Sequence, residues 1–195
     1  MVNSADYNFM LQWFLFYENN HALVVHRINE CDERKGTLGI NKYYIEANKI
    51  ADYTVFVSEW LKNTFIKSGF SSKNNEVIMS GSDSEIFNDD GRLFWDGTEP
   101  LKIVTHHWGN DLNKGFDIYQ YLDENIQKKF KNKIEFTYIG NTNNNIEFKF
   151  TNVIQPKSGI ELANLIKKNH IYLTASINEP SGNHHIEGAQ CGLPI

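Results

Sequence analysis

The chain has 195 residues, a net charge of −5 and 41% hydrophobic side chains. This length allows one or two small domains with cores of their own, and the acidic balance disfavours nucleic acid or a strongly anionic membrane as the main partner. Its two cysteines do not provide a disulfide framework. The apolar run at 9–17 is too short to span a bilayer and lacks the basic segment that precedes a signal peptide. We therefore expect a cytoplasmic protein with at most peripheral membrane association.

The first half of the chain predicts strands that alternate with helices. Apolar periodicity predicts strands over 22–28, 54–57 and 76–80, and helices over 41–52 and 59–68. Ser58 suits the N-cap position of the second helix, which ends at Gly69. Such alternation is typical of βαβ units around a parallel sheet.

The same alternation starts again after residues 88–100, whose polar, glycine-containing composition is that of a linker. Strands are predicted over 101–107, 133–140, 152–155 and 171–176, and helices over 114–130, 159–170 and 184–191. Ser158 and Glu161 have the spacing of a capping box at the start of the 159–170 helix. The sequence therefore predicts an α/β protein with two Rossmann-like parallel-sheet domains, residues 1–87 and 101–195.

The last seventeen residues carry two carboxylates, Glu179 and Glu187, with Gly182 between them. The predicted order is strand, loop and helix, and in an open parallel sheet a loop at the carboxyl end of a strand faces the ligand crevice. The helix start offers unpaired N–H groups to anions, and Gly182 lets the backbone approach a diphosphate closely. Two carboxylates in this arrangement suit a ligand with two sets of hydroxyls. The alternative is an ordinary surface loop with two solvated glutamates.

With the trailing Cys-Gly-Leu-Pro-Ile, this segment resembles the donor-site signature of glycosyltransferase family four, the retaining enzymes of the two-domain GT-B fold. The family pattern is E-G-F-G-x-x-x-x-E-A-x-A-C-G-x-P-[IV], from which Pro180 and Ser181 depart. Residues 51–61 also resemble its A-D-x-V-x-x-V-S-E-x-L string, and 81–87 its G-V-D-x-x-x-F string. The signature positions kept in register are Glu179, Gly182, Glu187, Cys191, Gly192, Pro194 and Ile195.

The resemblance implies roles for the donor-site residues. Glu179 is expected to hydrogen-bond the donor sugar, and Glu187 to hold the ribose hydroxyls. The backbone of Gly182, Asn183 and His184 is expected to lie near the sugar and phosphates.

The resemblance also implies a phosphate-binding pair of one arginine and one lysine after the strand at 101–107. Lys114 matches the lysine of the family's K-G pair, but the arginine usually found five or six residues earlier is replaced by Gly109 and Trp108. Because departing diphosphate charge must be stabilised, we expect His106, His107 or a helix N-terminus to compensate.

The segment after the first strand is expected to bind the acceptor of the sugar. His26 matches a family histidine that faces the acceptor and the donor sugar, so we predict His26 and Glu179 as the catalytic residues. Its ordinary pKa suits proton handling near neutrality, although a structural histidine is the alternative. We predict that Arg27, Asn29 and Glu30 bind the acceptor; a local salt-bridge network is the alternative for these charged side chains.

By resemblance, the function is transfer of a hexose from a nucleoside diphosphate sugar to a glycan or lipid-linked acceptor for a surface polysaccharide, with no cofactor and no metal. Because family members carry more βα units before His26 and further helices after Ile195, both domains are expected to be incomplete. One alternative is a non-catalytic nucleotide-sugar-binding or scaffold module. Another is a different GT-B enzyme, such as a nucleotide-sugar epimerase or a relative of glycogen phosphorylase. A metal site built from the two adjacent histidine pairs and Cys191 is disfavoured, because sequence neighbours on a strand point to opposite faces.

Overall fold

The computed structural model describes residues 23–195, which divide into two compact units. The described part of the first unit is residues 23–80 together with Asn178–Ser181, and the second unit comprises Gly81–Ile177 and Gly182–Ile195. No helix within residues 23–195 has the length and apolar character needed to cross a membrane.

The first unit is built on a three-stranded parallel sheet in the order β1-β2-β3. Its strands are β1 (Val25–Ile28), β2 (Tyr53–Phe56) and β3 (Asn75–Val77). Its helices are α1 (Asp32–Lys35), α2 (Ile40–Ala47), which continues into a 3₁₀ turn at Asn48–Ile50, and α3 (Glu59–Lys67).

Helix α3 shows why this sequence folds locally as predicted. The hydroxyl of Ser58 accepts a hydrogen bond from the backbone N–H of Leu61 at 3.2 Å, which satisfies one of the free donors at the helix start. Leu61 and Phe65 lie on one face of the helix and are fully buried. They pack with Phe56 of β2 and Tyr44 of α2, so the apolar stripe of each helix closes the core of this unit.

The second unit contains a four-stranded parallel sheet in the order β6-β5-β4-β7. Its strands are β4 (Leu101–His107), β5 (Ile134–Gly140), β6 (Asn152–Ile154) and β7 (Ile171–Tyr172). A 3₁₀ turn at Leu112–Lys114 precedes α4 (Phe116–Lys128), and the later helices are α5 (Gly159–Ile166) and α6 (Asn183–Gln190).

Helices cover both faces of this second sheet. Tyr138 of β5 packs with Phe116 and other residues of α4, whereas its neighbour Ile139 packs with Leu162 and other residues of α5. Successive side chains of a strand point to opposite faces, so the sheet is the middle of three layers. This is the Rossmann-like arrangement predicted from the alternation of strands and helices.

The boundary between the units lies at Ser80 and Gly81, not within the predicted linker 88–100. Phe87 is buried in the core of the second unit. The backbone N–H of Leu93 donates to the carbonyl of Lys167 at 2.9 Å, and Lys167 Nζ donates to Asn88 Oδ1 at 2.7 Å. Residues of the expected linker are therefore anchored on the second unit by packing and hydrogen bonds.

The predicted capping box at the start of α5 is wrong. Ser158 occupies the N-cap position, but its side chain accepts no capping hydrogen bond. The carboxylate of Glu161 instead forms an ion pair with Lys157 Nζ at 2.7 Å. The helix also ends at Ile166, earlier than predicted, where the Asn169 side chain donates to the Leu165 carbonyl at 2.8 Å.

Candidate functional site

The candidate donor site lies at the carboxyl ends of the strands in the second unit. Strand β4 leads into the 3₁₀ turn that carries Lys114, and β7 leads towards the loop before α6. The backbone N–H of Ile177 donates to the carbonyl of Asn113 at 2.9 Å, which joins the two segments. The carboxyl edge of a parallel sheet is where such folds place ligands.

Gly115 allows these two segments to approach. Its φ of +89° is a left-handed conformation that favours glycine. A Cβ at this position would lie 2.5 Å from both the Cβ and the carbonyl oxygen of Ala175. The K-G pair therefore has a structural reason for its glycine, and the preceding Lys114 is buried beside it with 9% of its surface exposed.

Glu187 on α6 is joined to His106 at the end of β4. The distance between His106 Nε2 and Glu187 Oε2 is 2.7 Å. On the other side of the ring, His106 Nδ1 lies 2.9 Å from the hydroxyl of Tyr172. A carboxylate that resemblance assigns to a ribose is thus held by a histidine, and that histidine contacts a tyrosine; sequence reasoning connected neither residue with Glu187.

The second histidine of β4 and the first of α6 pack against each other with their ring planes tilted by 58°. The ring centroids of His107 and His184 are 4.6 Å apart. His107 Nε2 lies 2.8 Å from Tyr119 Oη, and His184 Nε2 lies 2.9 Å from Thr174 Oγ1. His107, expected as a possible substitute for the missing arginine, is therefore engaged within the unit, as is His106.

Helix α6 begins without a side-chain cap. Gly182 occupies the N-cap position with a φ of +49°, and a Cβ there would collide with the ring of His185. Asn183, the first residue of the helix, is exposed. This turn presents backbone N–H groups, the donors that bind phosphates at helix starts.

The metal alternative receives no support from the described residues. Within residues 23–195, no group of three or more His, Cys, Asp or Glu side chains is placed to hold a metal ion. His106 Nε2 faces Glu187, and His184 Nε2 faces Thr174.

His26 lies in the interior of the first unit, where only 5% of its surface is exposed. Asn48 Nδ2 donates to its Nδ1 at 2.9 Å and also approaches Thr54 Oγ1 at 2.7 Å. Its Nε2 is buried with no hydrogen-bond partner among residues 23–195. Burial lowers the pKa of His26 from 6.5 to about 4. The expectation that His26 has a pKa near neutrality is therefore wrong, because the buried ring is shielded from the water that would solvate its charged form.

The predicted acceptor residues follow at the end of β1. Arg27 Nη2 donates to Ser80 Oγ at 3.4 Å, and Asn29 is half-buried. Glu30 forms an ion pair with Lys35 Nζ at 2.9 Å. The pairing of Glu30 matches the salt-bridge alternative for this segment.

Asp32, in the same segment, stabilises the start of α2. Its carboxylate accepts the backbone N–H groups of Gly39, Ile40 and Asn41 and the hydroxyl of Thr37. Burial alone would raise the pKa of Asp32, but these hydrogen bonds outweigh it and lower the pKa below its usual value.

Glu179 belongs to the first unit. Its Oε2 lies 3.5 Å from Nε of Arg34, whose side chain is 5% exposed. The neighbouring Asn178 Nδ2 donates to the carbonyl of Glu33 at 3.1 Å. The two signature carboxylates are therefore held by different units, Glu179 beside Arg34 and Glu187 beside His106.

Sequence reasoning missed the tyrosines of the second unit. Tyr119, Tyr138 and Tyr172 are fully buried, and the hydroxyls of Tyr119 and Tyr172 bond His107 and His106. These residues could have been found from the sequence, because each is a tyrosine within an apolar periodic segment. A tyrosine buried in this way usually has a hydrogen-bond partner for its hydroxyl.

No family profile and no curated protein matches this sequence. Solved structures do match it. The pneumococcal O-GlcNAc transferase GtfA, solved with UDP and GlcNAc, is 14% identical; the match covers 93% of this chain and 38% of GtfA with a TM-score of 0.66. HepE from Anabaena, solved with UDP and glucose, is 13% identical and matches over 95% of this chain and 55% of its own, with a TM-score of 0.74. Sucrose-phosphate synthase from Thermosynechococcus elongatus is 14% identical; the match covers 95% of this chain and 53% of the synthase, with a TM-score of 0.69.

Likeness at this level of identity shows the fold. The chain has the α/β, GT-B-type fold with Rossmann-like parallel sheets, as predicted. It spans 38% to 55% of the length of these three proteins.

Proposed function

We propose that this chain belongs to a retaining glycosyltransferase that moves a hexose from a nucleoside diphosphate sugar to a glycan acceptor. The observation that carries the proposal is the arrangement at the carboxyl edge of the second sheet. Buried Lys114, the uncapped start of α6 and the ordered carboxylate of Glu187 belong to the segments that follow β4 and β7. The fold neighbours GtfA and HepE were solved with UDP, which supports a uridine nucleotide as the first donor to test.

Each part of this edge matches one part of a nucleotide sugar. The carboxylate of Glu187 is an acceptor for the ribose hydroxyls, and its charge strengthens such bonds. Lys114 and the backbone N–H groups of Gly182, Asn183 and His184 are the donors for the diphosphate. Transfer would then depend on positioning and on stabilising the charge of the departing nucleotide.

The first unit supplies the residues proposed for the sugar and the acceptor. His26 is neutral at pH 7, and its buried Nε2–H is suited to donate a hydrogen bond to a sugar hydroxyl. Glu179, paired with Arg34, is the proposed acceptor for donor-sugar hydroxyls. Arg27, Asn29 and Glu30 remain the proposed contacts for a glycan or lipid-linked acceptor.

A non-catalytic nucleotide-sugar-binding module is the second candidate. It is favoured by the absence of the family's phosphate-binding arginine, whose positions are taken by Trp108 and Gly109. The nearby His106 and His107 are engaged by Glu187 and Tyr119, so neither ring is a ready replacement for that cation. Binding without turnover would be the property of such a module.

Calorimetric titration with UDP, GDP and their hexose conjugates tests the proposal. We expect saturable binding of one nucleotide series, weakened about tenfold or more in Glu187→Gln and in Lys114→Met because each change removes a charge-assisted contact. Glu161→Gln is the matched control, since Glu161 lies on α5 of the same unit and bonds only Lys157 in the described structure.

Turnover then separates the two candidates. Transfer of labelled hexose to an added glycan supports the enzyme, and binding without any transfer or release of nucleotide supports the module. Conversion of the donor without acceptor would indicate another enzyme of this fold, such as an epimerase. A cooperatively folded chain that binds none of these nucleotides would refute the proposed donor site.

A further inference from the structure

His106 links two elements of the second unit through both of its ring nitrogens. It is the sixth residue of β4, with 8% of its surface exposed. Nε2 lies 2.7 Å from Glu187 Oε2 on α6, and Nδ1 lies 2.9 Å from Tyr172 Oη on β7. The backbone N–H of His106 also donates to Tyr172 Oη at 3.1 Å.

The direction of these hydrogen bonds follows from the tyrosine. Burial raises the pKa of Tyr172 well above its usual value, so its hydroxyl keeps its proton. Its oxygen accepts from the backbone of His106 and also hydrogen-bonds the side chain of Thr105. The acceptors near its own proton include His106 Nδ1 at 2.9 Å and the His106 carbonyl at 3.4 Å. The shorter contact makes Nδ1 the acceptor. The imidazole proton is then on Nε2, from which it is donated to Glu187.

This arrangement orders one oxygen of Glu187 and leaves the other for a ligand. Oε2 is held by His106, whereas Oε1 has no hydrogen-bond partner among residues 23–195. The carboxylate side chain is 19% exposed. A glutamate side chain that is already ordered loses less conformational entropy when it binds a hydroxyl.

We propose that His106 is a positioning residue that orients Glu187 towards the ribose of the donor, and that Tyr172 selects the tautomer of His106 that does so. The inference rests on the proposed function, since it assigns the carboxylate a ribose to hold. The role of His106 is indirect: it acts on the ligand through Glu187.

The test compares UDP with 2′-deoxy-UDP, which lacks one of the ribose hydroxyls. We expect the wild-type chain to bind UDP about tenfold more tightly than the deoxy analogue, as the loss of a hydrogen bond to a charged group predicts. His106→Leu removes the Nε2–H that donates to Glu187. We expect it to reduce the ratio of the UDP affinity to the 2′-deoxy-UDP affinity to about 3 or less. His106→Gln, which places an amide N–H near the position of Nε2, is expected to restore most of it.

Tyr172→Phe provides a second, nearly isosteric variant if His106→Leu does not fold. Nitrogen-15 spectra of the histidine side chains report the tautomer directly: we expect His106 to be Nε2-protonated in the wild type and a mixture of tautomers in Tyr172→Phe. The UDP to 2′-deoxy-UDP ratio should fall together with the tautomer population. A purely structural role for His106 would weaken both nucleotides equally and leave the ratio unchanged.

The outcomes separate the two proposals. If the wild type binds neither nucleotide, the proposed donor site fails. If the wild type discriminates between them and Glu187→Gln abolishes the discrimination, while His106→Leu or Tyr172→Phe retains it in full, the donor site stands and the positioning role is overturned. A wild-type His106 protonated on Nδ1 would also overturn it.

Discussion

At the scale of single residues, burial decides the protonation state of His26. Its ring is packed beside Tyr44, with centroids 6.0 Å apart, and Asn48 holds Nδ1. Burial lowers its pKa to about 4, so at neutral pH the ring acts as a neutral hydrogen-bond donor and acceptor. It is therefore suited to bind a hydroxyl and unsuited to supply a positive charge for leaving-group stabilisation.

The low pKa of His26 predicts a loss of stability in mild acid. The unfolded chain, with a histidine pKa near 6.5, binds more protons than the folded chain between about pH 6.5 and pH 4. The contribution of the neutral ring is complete above this window and falls by up to about 3 kcal/mol across it. Urea unfolding at pH 7 and pH 4.5 should therefore show a smaller pH effect in His26→Gln than in the wild type.

Asn48→Ala is the matched control for this experiment. It removes the hydrogen bond to His26 Nδ1 but keeps the buried imidazole. We expect this variant to be less stable at both pH values while retaining the pH effect. Equal pH dependence in the wild type and His26→Gln would show that His26 does not titrate in this window.

At the scale of secondary-structure elements, Asp123 connects α4 to the segment that enters β6. Its fully buried carboxylate accepts the backbone N–H groups of Lys149, Phe150 and Thr151 at 2.7–2.9 Å. The hydroxyl of Thr151 also donates to it, at 2.6 Å. Burial alone would raise the pKa of Asp123, but these bonds outweigh it and lower the pKa.

Asp123→Asn is expected to destabilise the chain by about 2–4 kcal/mol, because an amide cannot accept all of these hydrogen bonds and its NH₂ faces other donors. Since the folded pKa is depressed, the wild-type contribution is present above the unfolded value near 3.8 and is lost as pH falls through the folded pKa. Guanidinium unfolding followed by tryptophan fluorescence measures the difference.

Asp117→Asn is the control on the same helix. Asp117 is exposed in the first turn of α4, and its replacement is expected to change stability by about 0.5 kcal/mol or less. Equal losses for Asp117→Asn and Asp123→Asn would contradict the anchoring role of Asp123.

At the scale of the whole molecule, each unit has a core of its own and one buried thiol. Cys31 packs in the core of the first unit, and Cys191 in that of the second. Neither forms a disulfide. Burial raises the pKa of Cys31 to about 12 and that of Cys191 to about 11.

Both thiols are therefore expected to resist alkylation while the units are folded. At pH 8 well under about 1% of either would be thiolate, and the thiolate is the reactive form. Iodoacetamide labelling across a urea series, read by peptide mass spectrometry, should show that each cysteine becomes reactive only when its own core opens. Rapid labelling of either cysteine in buffer would contradict the burial described for that unit.

The fold was largely predictable because its main signals are local. Strand β4 has the predicted bounds, Leu101–His107, and Ser58 caps α3 as expected. Shorter elements differ by a few residues: the strand predicted over 171–176 is only Ile171–Tyr172. The apolar pattern continues past this strand because Leu173 and Ala175 still pack on the core after ladder pairing has ended.

By itself the sequence determined the alternation of strands and helices, since this depends on periodicity along the chain. The GT-B-type fold and the importance of the signature carboxylates were implied by the resemblance of the motifs to a known family. The tertiary structure decided what those residues contact. It placed Glu179 beside Arg34 in the first unit, and it joined Glu187 to His106, 81 positions away. It also gave His26 its low pKa. These properties depend on neighbours in space and on exclusion of water, and neither is encoded in the spacing of adjacent residues.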